Sequence, residues 1–465
     1  MERTTPRLLI YNGTLIDGSG APAQPGTSVL VEGNRIVAVE PAQPPRNGDA
    51  HGPITVIDAT GKTIMPGLID AHCHMTYGEP RAEEELDLYA SLEYRALRAA
   101  WNAQKVLRAG VTSISDPGGS GFVGVALRDA IQAGMFPGPR MTTAGRFLTT
   151  SNGIADYYPL WVGVPDSSSG VLVNTQDAMI DEVRRQIKGG VDIIKIGDSV
   201  FGQHQAFSDE EVRVITELAH RLKRRVTIHA RGSEAVDAAI KAGVDWIMHG
   251  ELMTDEVIER LAASGIPLCP TLTLPANTAD YGERVGASPR RVYHYARHME
   301  RSAPVLQKAR KAGVTFMAGT DSGFSLTPYG HWHARELELL VDYVGFTPLE
   351  AIRAATSTAA RALNLAGELG TVAPGKLADL LVVDGDPVRD IKVLQDRSRL
   401  TAVIKDGRPV DLSGPWPERT VWPSERTQVV SAEDLTYESV YGSRENGEVM
   451  RERLEASVPR TDGGI

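Results

Sequence analysis

The feature that most limits how this chain can fold is a repeated rhythm in its middle. Short apolar runs alternate with amphipathic stretches: TSISD, DIIKIG, VTIHA, DWIMHG and VTFMAGTD read as strands. Between them, VALRDAIQAG, SDEEVRVITELAHRLKR, SEAVDAAIKAG and TDEVIERLAASG read as helices. Four strands are entered through Gly-Val pairs, Gly110-Val111, Gly190-Val191, Gly243-Val244 and Gly313-Val314. Ser208 with Glu211 predicts a capping box, and Ser233 and Thr254 suit N-caps. Helices alternating with strands imply a parallel sheet. Counting the run at 64–74 gives eight strands, which fits an α/β fold of the (β/α)8 TIM-barrel type over residues 65–369.

The flanks have another texture. LLIYNGTLIDG, TSVLVEGNRIVAVEP and ITVIDATGKTIM near the start, with TVAPGKLADLLVVDGDP and RLTAVIKDGRPV near the end, are alternating β-branched runs broken by turn residues. Neither piece is large enough to fold alone. They are expected to join as a small β-sandwich of residues 1–64 and 370–412. The polar tail, 413–465, reads either as an arm over the surface or a neighbouring subunit, or as a disordered segment.

Charge and cysteine content narrow the partners. A net charge of −10 argues against nucleic acid and anionic membranes. Two cysteines make no disulfide framework, and the start of the chain lacks a signal-peptide pattern. A cytoplasmic protein with a small-molecule substrate is expected, and homo-oligomerisation is the usual state for such barrels.

By the barrel rule, the C-terminal strand ends ring one mouth. His72 and His74 end the first strand on one face, with Cys73 on the other. His229, His249 and Asp321 end the fifth, sixth and eighth strands. Four imidazoles and a carboxylate at four strand ends form a donor set for divalent metal ions, and zinc, cobalt or manganese would all suit it. Lys195, set among isoleucines in DIIKIG, is the anomaly, because a buried ammonium needs a partner. Carboxylation by CO2 would turn it into an anionic ligand bridging two metals. Snorkelling to the mouth, or a salt bridge to Asp321, is the alternative.

These motifs resemble the amidohydrolase superfamily from about residue 5 to 412. PGLIDAHCH, DIIKI, VTIHARG, DWIMHG and MAGTDSG carry the resemblance, with ELELLVDYVGFTPLEAIRAATSTAARAL and the LGTVAPGKLADLLVVDGDP segment. Their order is most similar to the imidazolonepropionase-like and prolidase-like branch. The whole chain, arm included, resembles molinate and phenylurea hydrolases. The resemblance implies one metal on His72, His74, carboxylated Lys195 and Asp321, and a second on the carbamate, His229 and His249, with Asp321 and Lys195 catalytic. It implies hydrolysis of an amide-like C–N or (thio)carbamoyl bond in a small neutral N-substituted compound. A dipeptidase of the Xaa-Pro or Xaa-Arg/Lys type is the alternative, and a non-catalytic scaffold is a third.

Substrate contacts are expected from Arg231, which holds a carboxylate or pairs with an acid on the following helix. Phe147, Tyr157 and Trp161 in the loop after strand three suggest an apolar pocket. His294 and His298, at i and i+4 on one helical face, either touch substrate or face solvent.

Overall fold

The computed structural model describes residues 6–42, 54–422, 425–426 and 433–442. The fold is mixed α/β. Both flanks contribute to one eight-stranded sheet, in the order Arg408–Pro409, Leu400–Lys405, Leu380–Val383, Thr63–Pro66, Arg7–Leu15, Gln24–Glu32, Arg35–Pro41, with Ile54–Asp58 also pairing with Arg7–Leu15. Thr63–Pro66 is the seam. It runs parallel to Arg7–Leu15 through Leu15 and Ile64, and antiparallel to Leu380–Val383 through Ile64 and Val382. Ile10, Val29, Val31, Ile64, Leu380, Val382 and Ile404 form its core. Because this seam strand pairs on both its edges, the two flanks join in one continuous ladder.

The middle of the chain folds as parallel strands with helices between them. A six-stranded sheet runs Gly170–Leu172, Phe147–Thr149, Ile193–Gly197, Arg225–Gly232, Trp246–Leu252, Leu268–Cys269. A three-stranded sheet runs Leu68–Asp70, Val111–Asp116, Arg140–Thr143. Single backbone hydrogen bonds cross the seams: Asp192 N to Thr143 O at 2.9 Å, and Ala71 N to Ala318 O at 3.0 Å. Among the described residues no continuous ladder joins all eight expected strands. The eighth, 314–321, bridges Leu268 at Phe316 and otherwise makes isolated bonds, among them Ala71 N to Ala318 O, Asp321 N to His72 O and Ala318 N to Ala354 O. Its backbone turns to φ +57° at Asp321, which ends regular pairing. The short parallel pair Phe147–Thr149 and Gly170–Leu172 stands where the sequence suggests only a loop.

Local chemistry explains the rhythm. Gly110, Gly190, Gly243 and Gly313 all adopt positive φ, from +71° to +92°, and each ends a helix so that the chain can turn into the next apolar run. The capping box at Ser208 and Glu211 forms. Ser233 does not cap: Gly232 occupies that position, and the Ser233 hydroxyl accepts from Thr254 N instead, tying two helix starts together. Thr254 sits at its N-cap without a side-chain capping bond.

Alternation along Ile193–Gly197 decides where the anomalous lysine goes. Ile194 and Ile196 pack outward against the helices, whereas Ile193 packs inward with Trp246, Met248, Cys269 and Met317. Two residues on from Ile193, Lys195 therefore points inward too.

Candidate metal centre

Three donor atoms converge at the C-terminal ends of the first strand and the last segment. His72 Nε2 and His74 Nε2 are 3.0 Å apart. Asp321 Oδ1 lies 3.4 Å from the first and 3.3 Å from the second. Both imidazoles are buried, and Cys73 faces away into the outer core. Asp70 sets this geometry. Its carboxylate accepts from His72 N and Thr320 N, both at 3.0 Å, from Thr320 Oγ1 at 2.5 Å, and from His333 Nδ1 at 2.7 Å. The backbone on either side of the trio is thereby clamped. His333 is buried there. Asp70 was visible two residues before His72, but a polar residue ending a strand gave no sign of its three partner residues.

The protonation pattern fits a cation. His74 Nδ1 lies 2.6 Å from the Gly118 carbonyl and donates to it, which leaves Nε2 as a lone pair facing Asp321. His249 Nδ1 pairs with Thr271 Oγ1, and His249 Nε2 is buried without a hydrogen-bond partner among the described residues. A buried, unpaired imidazole nitrogen is costly unless something positive meets it. Burial holds His72 and His249 well below the usual histidine range, and burial with Arg231 nearby takes His229 down to about 3. Burial alone would raise the Asp321 carboxyl, but His72 and His74 beside it hold it well below its ordinary value. Imidazole nitrogens around an ionised carboxylate are a metal-binding donor set. The residues present fit such an ion.

The remaining expected ligands surround the trio without converging on it. The rings of His72 and His249 are 5.4 Å apart, and those of His229 and His249 are 4.3 Å apart. His229 Nε2 lies 3.2 Å from the Val200 carbonyl. Lys195 Nζ is directed at Met248 Sδ, 2.5 Å away, and not at Asp321. Burial lowers its amine to about 7. A thioether is a poor partner for an ammonium, so the amine is pushed towards its neutral, nucleophilic form. Asp321 and His249 both hold positive φ, at +57° and +76°, placing backbone strain on two expected ligands.

The trio opens into a cavity of about 350 Å³. His72, His74, Lys195, His229 and Asp321 lie in its lining, and Tyr77, Phe147, Tyr157, Phe201, Tyr295 and Phe324 supply aromatic wall. Tyr77, unsuspected from sequence, stacks on His74 at 4.1 Å with 6° between the rings. Phe147 is buried in the wall and Tyr157 is half-exposed at it. Trp161 is not in the lining. It is 86% exposed on a turn-rich loop. Arg231 lines the cavity but pairs with Glu251 of the next strand, not with the following helix. His298 is buried behind it, 2.9 Å from the same Glu251 oxygen, and so faces neither substrate nor solvent. His294 is exposed, with its ring edge on Phe201. Arg291 also lines the cavity. Its guanidinium lies over the Tyr295 ring and, among the described residues, makes no ion pair.

Comparison with known proteins agrees with this geometry. The amidohydrolase family model matches residues 63–410. Ochratoxinase of Aspergillus niger is 32% identical over 446 residues, covering 88% of each chain. A solved Xaa-Pro dipeptidase with bound methionine superposes with a TM-score of 0.78 at 30% identity, covering 87% of this chain and 100% of that one. Phenylurea hydrolase B gives a TM-score of 0.71 at 26% identity, covering 87% and 97%. Among the described residues no helix is long and apolar enough to cross a membrane. With its three converging donors at the head of an aromatic cavity, the chain belongs to the amidohydrolase family and is a hydrolase acting on carbon–nitrogen bonds.

Proposed function

We propose that the chain is a metal-dependent hydrolase of amide-like bonds in small, largely apolar molecules. In this reading the parallel strands form a (β/α)8 barrel, and the end-joined sheet serves as its β-sandwich domain. The observation that carries it is the meeting of His72, His74 and Asp321 at the head of the aromatic cavity. His72, His74, Asp321 and a carboxylated Lys195 would hold one divalent ion, and the carbamate with His229 and His249 a second. Zinc, cobalt or manganese all suit these donors. When bound, such ions supply the Lewis acidity that brings water's pKa towards neutrality and polarises a carbonyl.

The chain's own groups do the rest. Asp321 stays ionised between two imidazoles and can take a proton from the attacking water, then deliver it to the leaving nitrogen. The aromatic wall excludes water from the reacting carbonyl and orients the apolar part of the substrate. A homo-oligomer with a small-molecule substrate and no nucleic-acid partner, residing in the cytoplasm, completes the reading.

Two substrate classes fit the cavity. A neutral urea or thiocarbamate of the herbicide type suits its apolar wall. A peptide-like amide with a free carboxylate, as in an Xaa-Pro dipeptide, is favoured by one observation: Arg291 lines the cavity and, among the described residues, has no carboxylate paired to it, and Arg231 lies in the same lining. The zinc-loaded protein should be offered apolar N-acyl amino acids, their neutral amides and an N-phenylurea. Turnover of the urea or the neutral amides at equal or better kcat/KM supports the neutral class; turnover confined to free carboxylates supports the peptide class. No turnover of any of them refutes the hydrolase reading for these bonds.

A further inference from the structure

The C-terminal segment has no part in the chemistry above, yet its described residues reach the back of the cavity wall. Glu425 is 7% exposed. Its carboxylate accepts from Tyr94 Oη at 2.9 Å, from Arg98 Nη1 at 3.0 Å, and from Arg419 Nη1 and Nη2 at 3.0 and 3.1 Å. Arg98, 5% exposed, turns its other nitrogen to the Tyr77 carbonyl at 3.0 Å and the Thr76 carbonyl at 3.3 Å. Gly78 makes room for it: φ is +79°, and a Cβ there would lie 2.0 Å from the guanidinium carbon. One residue beyond Glu425, Arg426 Nη1 donates to the Glu79 carbonyl at 2.5 Å. Residues 76–79 therefore take side-chain hydrogen bonds at three of their carbonyls, all of them backed by Glu425 or its neighbour. Their front face carries Tyr77, stacked on His74.

We propose that Glu425 is a positioning residue which, acting through Arg98, fixes the Thr76–Tyr77 backbone and so holds the Tyr77 ring against His74. This rests on the reading of the cavity as the hydrolytic site. A buried guanidinium is stable there only with its counter-charge. Without Glu425, Arg98 would turn towards water, and the two carbonyls it holds would lose their donor. Groups that orient a metal-ligating imidazole commonly change metal affinity by about 10–100-fold when removed.

The test uses full-length protein carrying Glu425→Ala or Glu425→Gln, with Ile404→Ala, buried in the end-joined sheet, as a control for lost stability alone. Amide hydrogen exchange at residues 76–79 and zinc binding to metal-stripped protein by chelator competition are measured. For Glu425→Ala, exchange is expected to speed about tenfold and zinc binding to weaken about tenfold. Glu425→Gln, which keeps an acceptor for Arg98, should show smaller changes in the same direction and decides the matter if the Ala variant does not fold. Ile404→Ala should lower the melting temperature and move neither quantity. Wild-type exchange and zinc affinity in the Glu425 variants, or equal changes in Ile404→Ala, would overturn the proposal. Neither readout needs turnover, so failure of the zinc-loaded wild type to hydrolyse any amide would count against the functional reading alone.

Discussion

Thr271 Oγ1 lies 2.5 Å from His249 Nδ1 and 2.7 Å from the Pro270 carbonyl. The hydroxyl has one proton, and the carbonyl can only accept, so the proton goes to Pro270. The imidazole must then donate through Nδ1, and Nε2 is left bare in a buried setting. Thr271 thus fixes the tautomer that metal ligation requires.

Thr271→Val keeps the shape and removes the acceptor. Zinc affinity should fall about 10–100-fold, the range seen when such orienting partners are lost. Chelator competition measures it. Unchanged affinity would mean that His249 does not hold the ion through Nε2.

Asp321→Asn should leave the backbone in place, since Asn tolerates the positive φ found there. The proton carrier is lost, so kcat of the zinc-loaded protein should drop about 10²–10⁴-fold. Steady-state kinetics on the best amide found would decide, with melting temperature as the check on folding.

Lys195 sets a pH and CO2 dependence. Carbamate formation needs the neutral amine, and burial brings Lys195 to about 7. At fixed dissolved CO2, the rate of reactivating metal-stripped protein should therefore rise almost tenfold from pH 6 to pH 8. Lys195→Arg should abolish that dependence. The stability sign follows from the same shift. Between pH 7 and the ordinary lysine value of 10.5 the unfolded chain holds a proton that the folded one does not. Metal-free protein should therefore gain stability from this group as pH rises through that window, and lose it as pH falls back towards 7. Urea unfolding across the range tests the direction against Lys195→Met.

Asp70→Asn would place an amide N–H₂ opposite at least one of four donors now satisfied by a carboxylate. A loss of about 1–3 kcal/mol is expected from the unmet donors. Zinc binding should weaken with it, because Asp70 clamps the backbone of His72 and of the residue before Asp321. Denaturant titration and chelator competition on the same preparation would show both effects or refute the clamp.

The legible parts of this molecule are those with short-range grammar. Gly-Val turns, the Ser208 capping box and the same-side His-x-His pair each follow from local geometry, and the structure holds all of them, though the first strand itself ends at Asp70, before the histidines. What the sequence hid depends on partners far along the chain. Arg231 finds Glu251 across a strand pair, and His333 finds Asp70 across 263 positions, so neither fate can be read from its neighbours. Trp161 misled for the opposite reason: an aromatic residue in an active-site loop looks like pocket wall, but whether it turns inward depends on what packs beneath it. That the flanks join follows from their shared strand texture, but that Thr63–Pro66 is the seam depends on strand pairing, which residue alternation does not encode.

Zinc titration of the metal-stripped protein shows whether His72, His74 and Asp321 grip a catalytic ion. Wild type should bind at least one equivalent tightly and regain hydrolysis in step with occupancy, while His72→Asn with His74→Asn should bind far more weakly and stay inactive. Equal zinc binding by the double variant, or full hydrolysis by protein stripped of metal, would contradict the account.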